Sequence, residues 1–139
     1  MNHDHRRTQL RRVVDAYFGA LRSGRFDDIP FHENATLRAP LAPGGVHVPL
    51  KGRSTLMREW WTPLQPALSG LDVKIHDYYY NESLTAVVTE ADVIINAFSP
   101  PVVLRVADRF TVDDEGRITE QENHFDPRDV TNPGWNTGR

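Results

Sequence analysis

The sequence predicts an α+β fold in which a curved antiparallel sheet packs one face against N-terminal helices, and three observations carry that prediction. The first apolar residues recur at helical spacing. From Leu71 onward the apolar period is two, the period of half-buried strands. A chain of 139 residues is the size of one domain with a sizeable core. A single domain over 1–139 is therefore expected, with its core at about 6–126 and an irregular tail at 127–139.

The elements follow in order. Leu10, Val13, Val14, Tyr17, Phe18 and Leu21 form one apolar stripe with Arg, Asp and Gln opposite it, and Gly24 in "SGR" is placed to end that helix. "FDDIPFH" reads as a short second helix or turn, with Pro30 at an early helical position. Three prolines and two glycines limit "ATLRAPLAPGGVHVPL" to a short strand and a loop. Ser54 is the expected cap of a third helix, "STLMREWWTPLQPAL", whose stripe is Leu56, Met57, Trp60, Trp61 and Leu64 and whose second half is broken by Pro63 and Pro66. Four strands then lie in "LDVKIHDYYY", "LTAVVTEADVIINAF", "PVVLRVADRFTV" and "RITEQENHFD", with "NES" and "DDEG" as hairpin turns. Trp135 is the residue expected to pin the tail to the body.

Composition narrows the function classes. Apolar residues make up 39%, charged residues 25% and the formal net charge is −3, an ordinary balance for a water-exposed globular domain. Without a basic excess, nucleic acid is not an expected partner, and the Arg-rich "HRRTQLRR" reads as the solvated side of a helix. With no cysteine there is no thiol nucleophile and no cysteine-ligated metal. No run reaches the roughly 18 apolar residues of a membrane span, so no membrane partner is expected. The first residues lack an apolar signal core, and a cytoplasmic location is the expectation. The six histidines show no ligand spacing, no glycine-rich phosphate loop follows a strand, and no G-x-S-x-G elbow occurs, so neither metal nor nucleotide cofactor is expected.

Polar residues at apolar positions are the candidate chemistry. Leu104, Val106, Asp108, Phe110 and Val112 alternate onto one strand face, and a carboxylate there must be neutralised by a neighbour or act as a proton-handling group. A position at a sheet edge or a structural partner arginine is the alternative account. Glu90 and Asp92 project to one side of their strand with Val88 and Ile94, either as an acid–base pair or as a solvated face. Val87, Thr89, Ala91, Val93 and Ile95 form the other side, apolar enough for a contact with a second copy of the chain. On the last strand, alternation groups Ile118 with Glu120, Glu122, His124 and Asp126, against Thr119, Gln121, Asn123 and Phe125. Tyr17 lies on the first helix's apolar stripe, where its hydroxyl needs a partner.

Two stretches carry a family resemblance. "VVDAYFGALRSGRFDDIPFHENATLRAP" looks like the opening, and "VADRFTVDDEGRITEQENHFDP" the closing hairpin, of the SnoaL-like, or nuclear-transport-factor-2-like, superfamily. Its members include ketosteroid isomerase, limonene epoxide hydrolase, scytalone dehydratase and the SnoaL polyketide cyclases. The resemblance implies a cone-shaped, cystatin-like α+β barrel with an internal cavity, no cofactor, and a homodimer formed through the outer face of the sheet. It places Tyr17 and Asp108 at the isomerase's two oxyanion donors. The isomerase base would fall at position 39, which is Ala39 here. Glu90 and Asp92 fall where the epoxide hydrolase has Arg and Asp, and Asn123 where hydrolase and cyclases have an acid. The resemblance also sends Gln121, Asn123 and Phe125 to the cavity, which alternation allows only with a β-bulge between Ile118 and Gln121.

The expected function is a cofactor-independent isomerase, cyclase or dehydratase acting on a small hydrophobic carbonyl- or hydroxyl-bearing molecule. Tyr17 and Asp108 would donate hydrogen bonds to an oxyanion, Asp92 with Glu90 would be the base, and Asn123 would orient substrate or water. His124 and Asp126 stand as second choices, and Trp60, Leu104, Val106, Phe110, Gln121 and Phe125 as the substrate-binding wall. An epoxide hydrolase, or a non-catalytic ligand-binding or dimerisation module suggested by Ala39 and Asn123, are the alternatives.

Overall fold

Residues 2–136 are described by the computed structural model, and residues 137–139 of the expected tail lie outside them. Helix α1 (His3–Ser23) forms on the predicted stripe. The Asn2 side chain accepts from the His5 N–H at 2.8 Å to cap its start. Gly24, at φ +72°, caps its end by donating to the Ala20 carbonyl at 2.8 Å. The Arg-rich start is not wholly solvated. Arg6 is buried, and its guanidinium donates to the carbonyls of Leu84 (2.7 Å), Val112 (2.7 Å) and Asp113 (2.9 Å), tying α1 to the turns at one end of the sheet.

A six-stranded, curved and unclosed sheet supplies the other layer: β1 (Phe31–Arg38), β2 (Leu50–Lys51), β3 (Asp72–Tyr80), β4 (Ala86–Ile95), β5 (Val102–Val112) and β6 (Ile118–His124), in the order β2-β1-β6-β5-β4-β3. All neighbours run antiparallel except β1 and β6. That pair departs from the all-antiparallel expectation because no hairpin joins them; the helical segment and the meander lie between. Both hairpin turns are held by the side chains read as turn formers. Asn81 Oδ1 accepts from the Thr85 and Ala86 N–H groups, and Asp113 Oδ1 from those of Glu115 and Arg117.

Pro30 does not start a helix. It follows a single 3₁₀ turn (Phe26–Asp28) and leads directly into β1. The next helical segment, residues 53–68, is composite: α over Arg53–Leu56, π over Met57–Trp61, a short α piece over Thr62–Leu64 and 3₁₀ over Gln65–Leu68. Its N-cap is Gly52 at φ +93°, with no side-chain cap, so Ser54 lies inside the first turn. Pro63 has no N–H and its ring crowds the carbonyl four residues back, and the wider π turn just before it relieves that conflict. The same widening lets adjacent Trp60 and Trp61 both be buried. After β6 the chain turns back through Arg128–Thr131. This short helix interrupts the tail expected to be irregular. Trp135 holds it by donating to Asp129 Oδ1 at 2.8 Å, with the Arg128 guanidinium 3.6 Å from its ring centre. Both partners lie in the tail itself and not in the body expected to anchor it. Among the described residues no helix is long and apolar enough to cross a membrane.

Cross-strand register decides which side chains meet the helices. Asp108 pairs with Thr89 on β4 and Asn123 on β6, and Phe110 pairs with Val87 and Gln121. Directly paired residues share a face, so Val87, Thr89, Ala91, Val93 and Ile95 all point inward and are buried. Alternation alone assigns them to the outer, dimer-forming side, and the register reverses that assignment. On β6 the register steps between Thr111↔Glu120 and Val112↔Ile118, leaving Thr119 extra. This is the bulge anticipated between Ile118 and Gln121, and it puts Ile118, Gln121 and Asn123 together on the inner face.

Candidate active site

A cavity of about 600 Å³ lies between the inner face of the sheet, α1 and the composite helix. Its wall is apolar apart from Tyr17, Glu59, Asp108 and Asn123. Exposed Leu41, Pro63 and Ala97, with half-buried Val130 from the folded-back tail, stand at its rim.

At the floor, Thr89, Asp108 and Asn123 form one row across β4, β5 and β6. Asp108 is 2% exposed, and Asn123 Nδ2 donates to its Oδ1. Burial pushes the Asp108 carboxyl up to about 7, against the smaller opposing effects of the Asn123 hydrogen bond and the His124 charge. Tyr17 faces this row from α1, with Phe110 edge-on to its ring at 5.0 Å and Trp60 stacked on it at 6.3 Å. Burial, then the Asp108 charge, raises its hydroxyl well above the usual tyrosine value, against the nearby Gln121 and Asn123 amides. Tyr17 is thus a fixed proton donor at neutral pH, whereas Asp108 is poised to hold or release a proton there. Thr89 Oγ1 and both amide atoms of Gln121 are buried without a partner in hydrogen-bond geometry.

The remaining expected residues divide between the cavity and elsewhere. Trp60, Leu104, Val106 and Phe125 line it, as does Ala39. Phe110 and Gln121 are fully buried behind the floor and do not line the cavity. Glu90 and Asp92 lie on the opposite face of the sheet. Arg105 bridges them at 3.3 and 3.2 Å, and His76 lies 3.0 Å from Asp92. Hydrogen bonds from His76 and Arg105 hold the Asp92 carboxyl below its usual range. The expected base is therefore an outer-face ion pair that cannot reach a substrate at Asp108. His124 pairs with Glu122 at 2.5 Å and Asp126 with Arg128 at 2.5 Å, so neither second choice faces the cavity. The sequence pattern does not single out Glu59, which lines the cavity beside Trp60 on the same helical turn. Thr89, assigned by alternation to the outer face, is buried in the Asp108 row without lining the cavity.

The SnoaL-like domain family matches residues 14–121. No curated protein sequence matches the chain. Three solved structures illustrate the range of the fold. SalBIII, an epoxide hydrolase/cyclase-like enzyme in pyran ring formation in the polyether salinomycin, is similar at 22% identity, over 88% of this chain and 95% of that one, with a TM-score of 0.72. An LEH-like epoxide hydrolase from M. tuberculosis is similar at 27% identity over 89% and 87%, with a TM-score of 0.63. A steroid delta-isomerase from Pseudomonas aeruginosa is similar at 21% identity over 86% and 80%, with a TM-score of 0.60.

Proposed function

Because the chain belongs to the SnoaL-like domain family, a family whose fold serves several chemistries, we propose a function from the cavity floor: a cofactor-independent acid–base enzyme. It acts on a small hydrophobic carbonyl- or hydroxyl-bearing molecule by isomerisation, cyclisation or dehydration. The observation that carries this reading is the buried Asp108 carboxyl, oriented by Asn123 and placed in an apolar cavity with Tyr17. With Asp92 and Glu90 outside and Ala39 at the wall, proton abstraction falls to Asp108, not to the pair expected from the sequence. The Asn123 bond occupies Oδ1 and leaves Oδ2 for the proton. Asp108 takes a proton beside the substrate carbonyl, Tyr17 donates to the developing oxyanion, and Asp108 returns the proton to a different atom.

Nuclear magnetic resonance in D₂O tests this with a panel of hydrophobic ketones and hydroxyketones. The protein should catalyse deuterium exchange or product formation on at least one, and Asp108→Asn should slow it by about 10²-fold or more. Equal rates with and without the Asp108 carboxylate would remove the mechanism.

A second reading is supported by the same Asp108–Asn123 pair at the cavity wall: a water held against the Asp108 carboxylate would be activated for opening an epoxide. Oxygen-18 from labelled water in a diol product would select this reading, and no diol from an epoxide panel would discard it. The proposal also includes a homodimer through the outer face of the sheet, where Val88, Ile94 and the 53% exposed Val103 are interspersed with the Glu90–Arg105–Asp92 charges.

A further inference from the structure

The polar groups of the cavity share one sign of charge. Besides Tyr17 and Asn123 they are two carboxyls, Asp108 at the floor and Glu59 on the wall formed by the composite helix, and among the described residues no lysine, arginine or histidine lines the space. Among the described residues no hydrogen bond or ion pair reaches the Glu59 side chain, although it is partly buried. The cavity-lining residues next to it on the helix are apolar or aromatic: Trp60 follows it in the chain and stacks on Tyr17, and Pro63 lies one turn on. The described residues thus supply this carboxylate with no ion-pair partner at the cavity wall. A ligand that brings an ammonium group supplies the missing partner, and the flanking aromatic rings add their attraction for a cation. An acidic ligand meets only like charge there.

We infer that the ligand of this cavity carries a basic amine, with Glu59 as its counter-ion, while its carbonyl or hydroxyl end reaches Asp108 and Tyr17. This rests on the proposed function for the location of the reacting end, but the amine assignment has its own readout. Glu59 is a specificity-determining residue in this account and takes no part in proton transfer.

The test uses two probes of matched size, 2-naphthylmethylammonium and 2-naphthylmethanol, titrated calorimetrically into the protein and into Glu59→Gln and Asp108→Asn. The wild type should bind the ammonium about tenfold more tightly than the alcohol, and Glu59→Gln should abolish that preference while leaving alcohol binding within about twofold. Asp108→Asn should keep the preference. Equal binding of the two probes, or a preference that survives Glu59→Gln, overturns the amine assignment and leaves the Asp108 chemistry to the deuterium experiment. A preference lost only in Asp108→Asn overturns it too, by making Asp108 the counter-ion. Failure of both probes to bind the wild type overturns this inference, and the deuterium experiment decides the small-molecule reading separately.

Discussion

Asp108 joins the chemistry to the stability of the fold. Its carboxyl is held at about 7 by burial, whereas an unfolded-chain aspartate titrates near ~3.9. Between those values the folded state binds the proton and the unfolded state does not. Raising the pH through this window therefore favours unfolding, and the loss is complete above about 7. Asp108→Asn removes the effect, so its melting temperature should exceed the wild type's by roughly 4 °C or more at pH 8 and converge with it at pH 4. Thermal denaturation at the two pH values checks this, and a variant less stable at pH 8 would contradict it. The catalytic counterpart has the same origin. If ionised Asp108 is the base, turnover should rise with pH through about 7, and a rate that falls through 7 would assign it the donor's role instead. The anomaly of a carboxyl among Leu104, Val106 and Phe110 was legible from alternation alone. The family resemblance brings Asn123 to the cavity, but its pairing with Asp108, like that of Thr89, needs the register.

At the level of elements, alternation gives two faces for each strand but does not say which one is inside. β5 declares its inner face through Val106, Phe110 and Val112, with charged Arg105 and Arg109 on the other. β4 is apolar on both, so Glu90 and Asp92 could be sorted only by pairing Thr89 with Asp108 and Asp92 with Arg105. The bulge at Thr119 was legible because parity and resemblance disagreed there, and a single extra residue reconciles them. The π turn around Trp60 was not legible, since stripe analysis assumes a fixed period of 3.6. Arg6 also escaped composition-based reading, because its role is to satisfy carbonyls of distant turns. Arg6→Met leaves the Leu84, Val112 and Asp113 carbonyls without these donors and should cost roughly 2–4 kcal/mol in urea unfolding. A loss under about 0.5 kcal/mol would show that water replaces it.

The whole molecule was the most legible scale, because the change of period from α1 to the strand meander dictates a sheet with helices on one side. Its interior follows from this shape: the curved sheet and the helical layer leave a space lined by Leu104, Val106 and Trp60. Its exterior is a charged ladder of Lys74, His76, Asp92, Arg105 and Glu90, and the proposed dimer would bring two such ladders together. Light scattering at micromolar concentration should give the mass of two chains, and Arg105→Glu should shift it to one by placing like charges beside Glu90 and Asp92. A wild type of single-chain mass would exclude the dimer and leave the cavity chemistry intact.

The account depends most on the proton at Asp108. Carbon-13 NMR of the labelled Asp108 carboxyl, assigned with Asp108→Asn, follows that proton directly across pH. The account predicts a midpoint of about 7. A midpoint near ~4 would make Asp108 an ordinary ionised aspartate and contradict its place as the acid–base group.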